Sequence, residues 1–63
     1  MHEVGIARSA LDAAIVAAEQ AGAKRIVLVR LRVGAMAGVV SDALQFAFEA
    51  LAEKTMAQGA ILE

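Results

Sequence analysis

Sixty-three residues, 60% of them hydrophobic and 21% charged, with a formal net charge of −1, make at most one small domain. The near-neutral charge and an aromatic content of Phe46 and Phe48 alone argue against a nucleic-acid binder, which draws on a basic surface and stacking platforms. Cysteine is absent, which excludes disulfides and any thiolate zinc site in this chain.

The apolar content does not amount to a membrane span. A spanning helix needs about 18 consecutive apolar residues, whereas the longest runs, AAIVAA and IVLV, are cut short by Glu19 and Arg30. Glu3 and Arg8 frame the start, so no basic region leads into an apolar leader. A soluble, cytoplasmic protein with no membrane partner is expected.

From 4 to 21 the pattern is helical. Ala7, Leu11, Ala14, Ile15 and Ala18 recur at three- and four-residue spacing, with Arg8, Asp12 and Glu19 off that stripe. Arg8 and Asp12 are four apart and predict a modest surface ion pair. Gly22 supplies the left-handed residue that closes such a helix.

Residues 25–33, RIVLVRLRV, change period from 3.6 to 2 and predict a strand. Val27, Val29, Leu31 and Val33 share one aliphatic side, expected to face the helices. Ile26, Leu28, Arg30 and Arg32 share the other, expected to meet water or a partner. The stretch 34–40, GAMAGVV, reads as a loop. A second helix is predicted over 41–57, with Ser41 as N-cap and Asp42 in its first turn. Its inward stripe is Leu44, Ala47, Phe48, Leu51 and Thr55, with Gly59 closing it; Phe46 falls off that stripe and is expected to meet something else. Residues 60–63 read as the opening of another strand, and more protein is expected to follow them. The predicted class is α+β, with two helices packed on one face of a small β-sheet.

Several chemistries can be weighed against plainer readings. The strand, glycine loop and helix start in VGAMAGVVSD suggest a phosphate cradle, but the Lys-Ser/Thr of a P-loop is missing and Asp42 occupies the anion's place. Lys24, Arg25, Arg30 and Arg32 form a basic set, read first as a solvated sheet face and second as a protein-docking surface. No catalytic constellation is visible: the hydroxyls are Ser9, Ser41 and Thr55, and nothing nearby completes a triad. An enzyme is not expected.

The opening Met1-His2-Glu3 remains. His2 is the only imidazole, and it follows the residue that carries the amino terminus. The terminal amine, the His2 amide nitrogen and its imidazole can form fused chelate rings. The Glu3 amide or an outside ligand can complete four nitrogens in a plane, a set that suits Ni(II) or Cu(II). The plainer alternative is a non-metal interaction module that self-associates through its exposed strand.

With MHE, the run AxSALDAAxxAAxxxGAKRI and RLRVGAMAGVVSDALQFAFEAL in view, the sequence resembles the HypA/HybF family over essentially its whole length. These proteins are nickel metallochaperones of [NiFe]-hydrogenase maturation, and some serve urease. The resemblance implies Ni(II) held at Met1, His2 and Glu3. It also implies delivery alongside a HypB-type GTPase to the hydrogenase large subunit. A homo-oligomer is expected from the small core and open strand. Ala35 departs from the family, which usually has an acidic residue there. The family also carries a second domain, with two CxxC pairs binding structural zinc, before it returns to the first. Neither is present in this sequence, so the resemblance implies the N-terminal nickel-binding portion, without the zinc domain and closing strand.

Overall fold

The computed structural model describes residues 2–34 and 40–63. Helix-favouring alanine dominates the first of its elements, α1, Glu3–Gln20. Small Ala7 and branched Leu11 are buried on one stripe, with Ala14, Ile15 and Ala18 half-buried beside them. At its end Gly22, φ +72°, donates its N–H to the Glu19 carbonyl, and Ala23 donates to Ala18 at 2.9 Å. This is the paired bonding of a glycine-closed helix. Arg8 and Asp12 approach to 3.7 Å, with both side chains more than half exposed, so their pairing is worth at most about 0.5 kcal/mol.

The strand β1, Leu28–Val29, is followed by the helix α2, Ser41–Ala52, and the strand β2, Ile61–Leu62. β1 and β2 run parallel, pairing Leu28 with Ile61 and Val29 with Leu62. Parallel neighbours need a crossover, and α2 provides it. The class is α+β, with α1 and α2 packed against this small sheet. Leu11, Ile26, Val29, Leu44, Phe48 and Leu62 are buried between the layers. Phe48 and Leu11, each 1% exposed, contribute about 1.5–3 kcal/mol apiece by leaving water.

The strand alternates differently from the sequence expectation. Val29 and Leu31 turn inward, but Val27 is 68% exposed and Val33 also faces solvent, while Ile26 is buried. Two consecutive exposed residues, Val27 and Leu28, mark a break in the period. The cause lies upstream of the ladder: the Ile26 N–H is held at 2.8 Å by the carbonyl of Met56, in the turn before β2. Hydrogen bonding between β1 and the end of the chain reaches Leu31, whose N–H meets the Glu63 carbonyl, but regular strand geometry covers only Leu28–Val29 of the predicted 25–33.

α2 also stops at Ala52 and not at 57. Glu53 turns extended and Lys54 adopts φ +62°. The Thr55 hydroxyl donates to the Ala52 carbonyl and accepts from the Ala57 N–H, and the Gln58 side chain accepts from the Lys54 N–H. Short polar side chains here bond the backbone in place of the next helical turn. Gly59, φ +79°, closes that turn and not the helix.

Candidate metal centre

α1 begins one residue after His2, which is its N-cap. The His2 carbonyl accepts the first helical bond, from Ile6 at 3.0 Å. Its imidazole makes no capping bond, and the residue is exposed. A helix leaves its first N–H groups without acceptors inside the helix, and the Glu3 amide is among them. Imidazole and amide nitrogen therefore stand together at a solvent-facing helix end. Met1 lies outside the described residues.

Glu3 is committed elsewhere by its side chain. Its Oε2 accepts the backbone N–H of Val40 at 3.1 Å, across 37 positions of sequence. The Val40 N–H, and after it the residue's own amide, hold the Glu3 carboxyl below its ordinary value. Val40, not Ser41, is the N-cap of α2; Ser41 is the first helical residue, and no side chain of the cap closes that end. Val40 has no polar side chain to offer. Glu3 supplies the acceptor from a distance, adding its charge to that of Asp42 in the first turn, and one carboxylate so serves the amino ends of both helices, where the helix dipoles favour negative charge.

The structure brings His2 and Glu3 together at one corner, but the Glu3 carboxylate faces α2. Sequence reasoning grouped Glu3 with the metal motif and missed this link. No local pattern announces a bond spanning 37 residues. Among the described residues, no group of three or more His, Asp or Glu side chains gathers as a metal site. The donor set at this corner is thus imidazole and backbone nitrogen. The loop expected at 34–40 falls largely outside the described residues, as does Ala35 within it.

The basic set divides. Arg25 donates to the Gln58 carbonyl at 3.3 Å, and Arg30 meets the Glu63 carboxylate at 2.9 Å. Both bonds tie residues flanking β1 to residues flanking β2, so half of the predicted docking set serves the sheet. No described helix is long and apolar enough to cross a membrane.

A family model described as hydrogenase/urease nickel incorporation, metallochaperone, matches residues 1–63. A hydrogenase maturation factor HypA of Chloroflexus aurantiacus is 52% identical over 62 residues, covering 98% of this chain and 54% of that protein. The Roseiflexus protein of the same name is 46% identical over all of this chain and 51% of its own. That of Dehalococcoides mccartyi is 41% identical, again over the whole of this chain and 53% of its own. The chain spans about half the length of the curated relatives it matches. It belongs to the HypA family of hydrogenase and urease nickel-incorporation metallochaperones.

Proposed function

We propose that the chain binds Ni(II) at Met1, His2 and Glu3 and hands it over during maturation of [NiFe]-hydrogenase, or of urease. The observation that carries this reading is the placement of His2. Its imidazole is exposed and uncommitted at the start of α1, beside an amide that the helix does not need. A terminal amine, the His2 amide, the imidazole and the Glu3 amide make a nitrogen set that favours square-planar Ni(II) or Cu(II) over tetrahedral Zn(II). In this reading Met1 contributes its amine, His2 its imidazole and amide, and Glu3 its amide alone.

The recipient machinery follows from the family. A HypB-type GTPase and the hydrogenase large subunit are the proposed partners, in the cytoplasm, with the chain itself as a homo-oligomer. Calorimetric titration of untagged protein with Ni(II) is the test. One ion per chain is expected, lost in His2→Ala with helical content unchanged. A His2→Ala protein that still takes up one Ni(II) per chain at native affinity removes the assignment.

A further inference from the structure

Phe46 is 75% exposed on a helix whose other phenylalanine, Phe48, is fully buried. It stands at the lip of a groove of about 330 Å³ between the first turn of α1 and the length of α2. Glu3, Val4, Ala43, Ala50 and Leu51 line that groove with it. Val4 is also 63% exposed. Alanines on the α2 wall let a neighbouring element approach closely. Of its lining, Ala47 and Leu51 belong to the core or pack against it, whereas Val4, Ala43, Phe46 and Ala50 are exposed.

Charge tells what fits there. Asp42 and Glu49 lie four before and three after Phe46, on the same side of α2, and Glu53 follows at its end. All three are exposed, and none forms an ion pair among the described residues. Between 41 and 53 there is no lysine or arginine. Glu3 adds an anion at the far end of the groove. The surface is thus an apolar channel with an acidic rim. Apart from the free N–H groups in the first turn of α1, its walls are helical backbone bonded internally, so an extended strand would find no ladder to join. A helix brings its own satisfied backbone and offers only side chains.

We propose that the groove beside Phe46 docks a basic amphipathic helix of a partner protein, its apolar stripe on Phe46 and Val4 and its cations on Asp42, Glu49 and Glu53. The surface stands on shape and charge alone. Its bearing on metal handover rests on the nickel reading, because Glu3 belongs both to the groove and to the amino-terminal motif.

The chain has no tryptophan or tyrosine, so a tryptophan in a probe peptide reports without background. The probe is a leucine–lysine peptide of about 18 residues, roughly five helical turns, with one tryptophan on its apolar face. Saturable one-to-one binding with a blue shift is expected without nickel, equally in wild type and His2→Ala. Phe46→Ala should weaken it about tenfold or more. So should Ala50→Lys, which fills and charges the groove at an exposed position. Asp42→Lys with Glu49→Lys should remove its salt dependence. Circular dichroism checks that each variant keeps its helices. Equal binding of a scrambled peptide or of a leucine–glutamate peptide overturns the proposal. So does unchanged binding in Phe46→Ala, or self-association of the free protein that disappears with Phe46, which would make the occupant a second copy. Loss of nickel binding in His2→Ala with peptide binding intact separates this inference from the metal site.

Discussion

His2 and Glu3 are adjacent in sequence and put to different uses. The imidazole is left to solvent at the helix cap, whereas the Glu3 carboxylate is bonded to Val40 at the start of α2. This separation makes two predictions at the level of single groups. If the terminal amine is a nickel ligand, extending the chain by a short segment before Met1 removes one donor and breaks the fused rings while His2 stays intact. Nickel affinity measured by calorimetry should then fall steeply; an unchanged value means the amine is not a ligand. The second prediction concerns Glu3 in the metal-free protein. Its carboxyl is held below its ordinary value of 4.5, chiefly by the Val40 N–H. A group depressed on folding stabilises the fold when ionised, so the contribution is full above the unfolded value. It fades as pH falls below about 4.5 and is gone once pH passes the lowered folded value. Glu3→Gln should therefore melt below wild type at neutral pH, with the gap closing in acid. A gap in melting temperature that stays constant from neutral pH into acid would show that the charge has no part in it.

The elements divide by how locally their causes are written. α1 and its glycine stop were readable because the stripe from Ala7 to Ala18 and the left-handed Gly22 are short-range signals. The end of α2 was not: the apolar period runs on through Leu51 to Thr55, but the Thr55 hydroxyl bonds the Ala52 carbonyl and the chain turns. The sides of β1 were misjudged for a related reason. Its alternation is broken by the hold of Met56 on Ile26, a contact between segments that only the parallel pairing brings together. Of the candidate site, the residue types at the amino terminus were legible and the Glu3–Val40 bond was not. The packing makes its own predictions. Phe48→Ala removes a side chain that is 1% exposed and should cost about 3–5 kcal/mol, as much as a domain this small holds in total. Loss of helical signal in that variant is the expected result, while Phe46→Ala should stay within about 0.5 kcal/mol of wild type. Gly5, inside α1, should work the other way. A Cβ there would meet the His2 Cβ at 3.9 Å, an ordinary contact, so Gly5→Ala should raise stability by about 0.4–1 kcal/mol. Thermal melts of the three variants check the order.

On the scale of the whole molecule, the described sheet leaves apolar surface in water. Leu28 and Ile61, paired across the ladder, are 43% and 64% exposed, and Val27 is exposed beside them. The carbonyls of Val27 and Val29 and the N–H of Leu31 face β2. By strand alternation the backbone groups of Leu28 and Arg30 face the other way, along an edge that no described strand covers. An antiparallel pairing of two copies about Val29 sets Leu28 of one against Arg30 of the other. Each Arg30 is thereby kept from opposing itself, and its bridge to Glu63 remains at the rim. Dimers at high micromolar concentration are the expected result by light scattering. Leu28→Pro should abolish them: proline removes a donor from the open edge, and the bonds to β2 come from the neighbouring residues. A wild-type chain that scatters as a monomer there, or a Leu28→Pro protein that still dimerises, would move the association away from this edge.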